Sequence, residues 1–226
     1  NTSKAGWNLG ISGTNDSMAF DFDYGVQNCV YEYNYSHDNY GGLALVCDSG
    51  NERTYSLGNQ RSSVRYNISI GDGIRPKLTR QGMFSPSIHI AGRVEDTRIE
   101  RNIIHANAKP GKDIDRSMIV SDNWDGYAAR TTFSQNIFYA AEPSHFDLTQ
   151  STDNVFEGNW YLGTYTSLPN DSARKTVCQL YEEQILSAGK DGYKGLENLM
   201  KQHTVCGIDF LFVDKESIEN FFNLLQ

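Results

Sequence analysis

The chain has 226 residues and a formal net charge of −8, and 38% of its residues are hydrophobic, 12% aromatic and 21% charged. This composition excludes a disordered chain and is typical of a globular, strand-rich protein. The net negative charge argues against a general nucleic-acid binder, because no positively charged surface would attract phosphates. The sequence contains no run of about 18 apolar residues, so no membrane-spanning helix is predicted.

Five segments of similar pattern recur along the first two thirds of the chain. Each has a large apolar residue, two or three further residues, an Asn, and then a short, mostly apolar or aromatic pair. The segments are VYEYNYS (30–36), VRYNISI (64–70), IERNIIH (99–105), FSQNIFY (133–139) and FEGNWYL (156–162). The Asn positions are 34, 67, 102, 136 and 159, which gives successive intervals of 33, 35, 34 and 23.

This near-constant period predicts a stacked solenoid with one Asn per coil at the same point. The side-chain amides would form a ladder in which each donates to one neighbouring coil and accepts from the other, so that every internal amide is satisfied. Asn also tolerates the left-handed backbone of a sharp bend between two short strands, which is a second reason to expect it there.

A second type of segment lies ahead of or between the Asn segments and shows the alternation or short apolar run of a strand. These segments are AFDFD (19–23), LALVC (43–47), SIHIAG (87–92), SMIVSD (117–122) and HFDLT (145–149). Each coil is therefore predicted to carry one isolated strand and a strand–Asn–strand corner, making three short strands per turn. Successive coils would stack about 4.8 Å apart.

Three short strands per coil and an internal Asn ladder resemble the right-handed parallel β-helix of the pectate-lyase type. The stretch MAFDFDYGVQNCVYEYNYSHDNYGGLALVC (18–47) further resembles secreted β-helix repeat proteins of gut and environmental bacteria that act on polysaccharides. The resemblance covers about residues 7–165. It implies an all-β solenoid that is secreted, periplasmic or on the cell surface, but this architecture hosts lyases, glycosidases, esterases and adhesins.

The last third of the chain differs in pattern. We predict β-helix coils over 1–165, a polar linker over 166–176 and a small helical cap over 177–226. Helical periodicity is present in 177–188 and 192–203, and Asp214 is a good N-cap for a third helix. The cap would pack on the last coil near Trp160 and cover its open strand edges.

The opposite end of the predicted solenoid has no such cap. The chain opens on NTSKAGWNLG without an initiating Met, so we interpret it as processed or excised, with preceding coils and any targeting signal removed. We expect either N-terminal coils or another chain to cover this edge. The four cysteines, Cys29, Cys47, Cys178 and Cys206, form no C-x-x-C pair, which favours buried thiols over a metal site.

Strand alternation selects the candidate catalytic residues. In AFDFD, Phe20 and Phe22 face the core, so Asp21 and Asp23 face outward, and in SIHIAG the residue that faces outward is His89. We predict these three outward residues as catalytic and expect them in one column of the outer wall. Carboxylates on adjacent coils would be about 5 Å apart, and those two coils apart about 9–10 Å. These distances bracket the carboxyl separations of retaining and inverting glycosidases. The alternative is that each Asp only forms turn hydrogen bonds.

The turns beside this wall supply the predicted substrate-binding residues. Trp124 and Tyr127 lie in SDNWDGY and Tyr40 lies in DNYGG, and aromatic rings bind the apolar faces of sugars. Asp48 and Asp122 are acids at the ends of their strands. The alternative for Trp124 is that it only anchors its own loop.

These residues favour a glycoside hydrolase that acts on a polysaccharide or oligosaccharide through paired carboxylates, without a cofactor. The alternatives are a non-catalytic polysaccharide-binding or adhesin-like solenoid, and a polysaccharide lyase. A lyase of the pectate type requires an Arg or Lys base and usually Ca²⁺. Asp72, Arg75 and Lys77 are candidates for that role, but no compact cluster of acids occurs at matching rows. We expect no nucleic acid and no membrane as partners.

Overall fold

A computed structural model describes residues 2–4, 17–49, 58–75, 84–106, 117–175, 204–205 and 208–209. Within these ranges the regular secondary structure is entirely β, and no helix is long and apolar enough to cross a membrane. The three helices predicted in 177–226 lie outside the described residues.

The strands follow the predicted repeat. β1 (Thr2–Lys4) comes first, and coil 1 contains β2 (Phe20–Phe22), β3 (Val30–Glu32) and β4 (Tyr35–His37). Coil 2 contains β5 (Ala44–Asp48), β6 (Asn59–Gln60), β7 (Ser63–Arg65) and β8 (Ile68–Asp72). Coil 3 contains β9 (Ile88–Gly92), β10 (Val94–Glu95), β11 (Arg98–Glu100) and β12 (Ile103–Ala106). Coil 4 contains β13 (Ser117–Asp122), β14 (Ala128–Ala129), β15 (Thr132–Ser134) and β16 (Ile137–Asp147).

Coil 5 begins with the end of β16 and continues through β17 (Ser151–Thr152), β18 (Val155–Glu157) and β19 (Trp160–Tyr165). Farther along the chain, β20 (Thr204–Val205) and β21 (Ile208–Asp209) pair with each other in antiparallel orientation.

In the coils, each strand pairs in parallel with the equivalent strands of the neighbouring coils. Sheet 1 contains β2, β5, β9, β13 and the end of β16; sheet 2 contains β6, β10, β14 and β17; sheet 3 contains β3, β7, β11, β15 and β18; and sheet 4 contains β1, β4, β8, β12, the start of β16, and β19. Because β16 belongs to both, sheets 1 and 4 form one ten-stranded sheet. This topology confirms an all-β fold of parallel strands and is consistent with a parallel β-helix.

The two-residue strands of sheet 2 were not predicted. Each coil has a bend after its sheet 2 strand as well as the bend at the ladder, and the additional bend separates sheet 2 from sheet 3. One bend has a left-handed residue after sheet 2, at Asn28, Arg61, Asp96, Arg130 and Asp153, with φ of 55–57°. The other has one directly before the ladder Asn, at Tyr33, Tyr66, Arg101, Gln135 and Gly158, with φ of 53–67°. The prediction that the ladder Asn itself takes the left-handed conformation is therefore wrong, because the bend is completed one residue earlier.

The asparagine ladder is present and runs through all five coils. Asn34 Nδ2 donates to Asn67 Oδ1, Asn67 to Asn102, Asn102 to Asn136 and Asn136 to Asn159, each at 3.0 Å. Each receiving oxygen also accepts the main-chain N–H of the same donor residue, at 2.9–3.0 Å. From Asn67 onward, the second Nδ2 hydrogen goes to a main-chain carbonyl of the preceding coil. Every internal rung is therefore fully satisfied.

The ladder ends on a carboxylate that the repeat pattern did not reveal. Asp171 Oδ2 accepts the main-chain N–H of Asn159 at 3.0 Å and its Nδ2 at 2.9 Å, which are the two bonds an Asn would accept. Asp171 Oδ1 accepts the N–H groups of Gly158 and Ala173 at 3.0 and 3.2 Å. The groups around the Asp171 side chain are all hydrogen-bond donors. A carboxylate, which only accepts hydrogen bonds, therefore fits this position better than an amide, which would also present an NH2 group.

Residues 166–175, which were predicted as part of a linker, lie against the last coil. Asp171 forms a parallel bridge with Phe156, and Lys175 forms one with Trp160. The core between the sheets contains the inward side chains of every coil, including the stacked rings of Phe133 and Phe156, whose centroids are 4.4 Å apart. The described part of the chain thus continues the solenoid beyond residue 165.

Replacing Asn102 by Leu tests the ladder. The substitution should lower the free energy of unfolding by about 1–3 kcal/mol, because it leaves Asn67 and Asn136 amide groups buried without partners. Denaturant unfolding measures the difference, with Asn123→Leu on an exposed turn as the control. Equal stabilities of the two variants would contradict an energetic role for the ladder.

Replacing Asp171 by Asn tests the terminal rung. Partial burial would raise the pKa of Asp171, but hydrogen bonds from Asn159, Gly158 and Tyr161 outweigh it and hold the pKa below its usual value. The stabilisation is therefore present above the unfolded-state pKa of about 4 and is lost as the pH falls through the folded-state pKa. At pH 7 the variant should lose about 1–3 kcal/mol of unfolding free energy, since its amide group faces N–H donors.

The difference in unfolding free energy between wild type and Asp171→Asn should become smaller as the pH is lowered, because protonated Asp171 also loses its ionic hydrogen bonds. Denaturant titrations at several pH values measure it, and Glu157→Gln on the exposed side of the same coil is the control. A difference that stays constant below the usual carboxyl pKa would contradict the role of the charge.

Candidate functional site

The outer face of sheet 1 carries the two acids that strand alternation placed there. Phe22 is buried in the core, whereas Asp21 and Asp23 on either side of it are exposed. The strand rise of about 3.3 Å per residue separates the two Cα atoms by about 6.6 Å, and both side chains project to the same side. The prediction that both acids lie on the outer wall is therefore confirmed.

The strand register fixes which residues share a column with these acids. Asp21 is followed along sheet 1 by Leu45, His89, Val120 and Asp147. Asp23 lies beside the next column, which contains Cys47, Ala91 and Asp122. At about 4.8 Å per coil, Asp21 is about 10 Å from His89 and Asp23 is about 14 Å from Asp122 along the wall. Of the two predicted acids, only Asp21 shares a column with His89, so the prediction of one column for all three residues is wrong. Within either column, no two acids lie on adjacent coils.

The structure brings two of the predicted residues together as a pair. His89 Nε2 lies 2.9 Å from Asp122 Oδ1, and the Phe84 ring meets the imidazole edge-on with centroids 4.9 Å apart. His89 is 5% exposed, and its Nδ1 has no hydrogen-bond partner among the described residues. Asp122 thus fixes the orientation of His89, and the structure does not bring this pair to Asp21 and Asp23.

Asp23 is held by groups on two coils. Its Oδ1 accepts the main-chain N–H of Tyr24 at 2.9 Å and the thiol of Cys47 at 3.5 Å. Burial raises the pKa of the Cys47 thiol, and the carboxylates of Asp21, Asp23 and Asp48 raise it further. Cys47 is therefore a neutral donor and not a nucleophile. Cys29 is an exposed thiol, so the prediction that it is buried is wrong, because its position at the bend places it outside the coils.

Asp48 lies under the turns at the carboxyl ends of the sheet 1 strands. It is fully buried, its Oδ2 accepts the N–H of Gly25 at 2.8 Å, and Arg93 Nη2 lies 3.6 Å from its Oδ1. This predicted substrate-binding residue therefore binds the protein's own turns and presents no exposed oxygen.

Above Asp48, the turn after β13 crosses back over coil 3 towards coil 1. Gly92, with φ +77°, permits this path: a Cβ there would lie 1.8 Å from the Asp48 carbonyl oxygen and 2.9 Å from that of Trp124. The crossing brings the Trp124 ring to Tyr24, with centroids 5.4 Å apart and planes tilted by 57°. Trp124 is thus packed on another turn, and the reading that it only anchors its own loop is wrong.

Exposed aromatic surface results from this crossing. Tyr24 is 42%, Trp124 38% and Tyr127 59% exposed. Tyr24 was not predicted, although it follows Asp23 directly, because the sequence contains no signal for a contact with a turn 100 residues away. Tyr40 does not join them: it precedes β5 at the opposite end of sheet 1, where its carbonyl accepts a hydrogen bond from Ser85 Oγ at 3.1 Å.

The described residues of sheet 1 and of the turns that follow its strands carry an excess of negative charge. Their acids are Asp21, Asp23, Asp48, Asp122, Asp125 and Asp147, whereas Arg93 is the one Lys or Arg among them. Arg93 pairs with Asp48. No three His, Cys, Asp or Glu side chains of the described chain are grouped closely enough to hold a metal ion.

We compared the chain with known proteins and protein families. No protein-family model, no curated protein and no solved structure matches the chain.

Proposed function

We propose that this chain is a secreted, periplasmic or surface-bound carbohydrate-active protein of the right-handed, pectate-lyase-like β-helix type, which acts on a polysaccharide as a glycoside hydrolase. One observation carries the proposal: two exposed carboxylates, Asp21 in β2 and Asp23 directly after it, lie next to the exposed rings of Tyr24 and Trp124. Aromatic faces hold a sugar ring against the wall, and paired acids act on the bond beside it.

The spacing of the two acids suits hydrolysis. Inverting glycosidases place their carboxyl groups about 6.5–9.5 Å apart and retaining enzymes about 5–5.5 Å apart. The Cα atoms of Asp21 and Asp23 are about 6.6 Å apart, so side chains that project to the same side can hold their carboxyl groups at a separation within the inverting range. One carboxylic acid would protonate the glycosidic oxygen while the other carboxylate activates water on the opposite side of the sugar.

The electrostatics of this wall favour a neutral or amine-bearing glycan. A polysaccharide lyase removes the proton beside a uronate carboxylate, so its substrate is an anionic polymer. Asp21, Asp23 and Asp122 would repel such a polymer, and Arg93 is already paired with Asp48. A lyase that recruits Ca²⁺ to these carboxylates remains the alternative enzyme, whereas the hydrolase requires no cofactor.

A second candidate function is polysaccharide binding without catalysis. Buried Leu45 and Cys47 lie next to Asp21 and Asp23 on the adjacent coil, so the nearest row of the wall offers no further acid. Tyr24, Trp124 and Tyr127 are more than a third exposed and would bind sugar rings whether or not a bond is cleaved. An adhesin-like solenoid would use this surface for retention alone.

A glycan screen separates the three functions. The protein is incubated with neutral, amine-bearing and uronate polymers, and products are detected as new reducing ends and by the absorbance of unsaturated sugars. A hydrolase produces reducing ends without unsaturated products, a lyase produces both, and a binding protein is retained on a polymer without producing either. Absence of turnover and of retention on every polymer would contradict the proposed function.

Replacing Asp23 by Asn tests the catalytic role on the polymer that the screen identifies. Loss of a general acid or base should lower turnover by at least about 100-fold. The melting temperature should hardly change, because the amide oxygen can still accept the bonds from Tyr24 and Cys47. Asp153→Asn, an exposed acid in a bend of another sheet, is the matched control. Unchanged turnover would remove Asp23 from the mechanism.

A further inference from the structure

The outer face of sheet 4 is buried, unlike the acidic outer face of sheet 1. Ile104 and Phe138 point into the core, so the residues on either side of them in their strands point outward. The outward apolar side chains of this sheet include Ile68, Ile103, Ile137, Tyr139 and Trp160, each at most 4% exposed. Water is therefore excluded from this face in coils 2 to 5.

One ionisable imidazole lies on this apolar face. The strand register places His105 between Ile70 and Tyr139 of the adjacent coils, and the centroids of the His105 and Tyr139 rings are 4.6 Å apart. His105 is 6% exposed, and neither its Nδ1 nor its Nε2 has a hydrogen-bond partner among the described residues. The other described histidines each have a ring nitrogen within 3.1 Å of a carboxylate or hydroxyl oxygen: His37, His89 and His145.

The imidazole of His105 is compatible with these surroundings only while it is uncharged. Protonation gives the ring two N–H donors and a positive charge, which require acceptors or water. Burial lowers the pKa of His105 from 6.5 to about 4. The asparagine ladder contains no ionisable group between Asn34 and Asn159, so its hydrogen bonds do not respond to this proton. We propose that His105 is an acid-sensitive switch, whose protonation opens the outer face of sheet 4 to water while the coils stay paired.

Among the described residues, no other ionisable group on the strands paired with β12 produces the same effect. Asp72 of β8 accepts a hydrogen bond from Ser69 Oγ at 2.6 Å, and burial raises the pKa of Asp72. A raised carboxyl pKa favours the folded chain as the pH falls, which is the opposite sign. Tyr139 of β16 carries no charge below pH 7. His37 lies two coils away and is paired with Asp38 at 3.1 Å.

The direction of the effect follows from proton linkage. Opening or unfolding gives His105 its ordinary pKa of about 6.5, so the open form takes up a proton at a pH at which the closed form does not. The stabilisation of the closed form is complete above about pH 6.5 and is lost as the pH falls towards about 4. Between pH 7 and pH 4.5, the equilibrium constant for opening should rise about 50-fold.

Replacing His105 by Phe tests the switch, because phenylalanine keeps an aromatic ring and cannot be protonated. Denaturant unfolding, which also exposes residue 105, is measured at several pH values between about 7 and 4.5. The ratio of the wild-type unfolding constant to that of His105→Phe should rise about 50-fold as the pH falls over this range. His37→Phe is the control, since His37 is already partly exposed and paired with Asp38, and its ratio should not rise. Equal pH dependence of wild type and His105→Phe would overturn the proposal.

Dye binding to the wild-type protein distinguishes local opening from unfolding and does not depend on whether the variant folds. Anilinonaphthalene sulfonate fluorescence, which reports exposed apolar surface, and far-ultraviolet circular dichroism are followed as the pH is lowered. Local opening should raise the fluorescence at a pH at which the strand signal is retained, and a return to neutral pH should reverse the change. Fluorescence that stays constant, or that rises only together with loss of the strand signal, would overturn the proposal.

Discussion

The buried side-chain amide is the constraint on which this structure depends. An amide in an apolar core is tolerated only if its donors and acceptors are all used, and in a stack of coils the satisfying partner is the same residue one coil away. The ladder therefore locks each coil to the next in a single register. A slip of one residue at any coil would unpair the amide there and turn inward side chains outward.

That register decides which side chains meet on the outer wall. It aligns Asp21 with His89 and places Asp122 in the column of Ala91, where the carboxylate reaches the imidazole of His89. The alignment of side chains on the outer wall is therefore set by the packing inside the coils. The residues on the wall can differ from coil to coil, provided that the asparagine amides inside stay paired. This separation of a fixed core and a variable wall explains how one architecture supports many reactions.

Features that repeat could be predicted from the sequence, and features that occur once could not. The strands, the ladder through Asn34 and the outward direction of Asp21 follow from patterns present in several coils. Asp171 was missed because it lies 12 residues after Asn159, outside the period, and is not an asparagine. The left-handed residue of the bend at the ladder was misplaced by one position, because Tyr66 and Arg101 carry no marker for that conformation.

The contact between Tyr24 and Trp124 changes how this solenoid comes apart. In a stack where each coil touches only its neighbours, end coils can peel away one at a time, and stability is a sum of local interfaces. Here a turn of coil 4 reaches over Gly92 to a turn of coil 1. Detachment of coil 1 therefore also breaks a contact with coil 4, which adds a coupling between coils that are not neighbours.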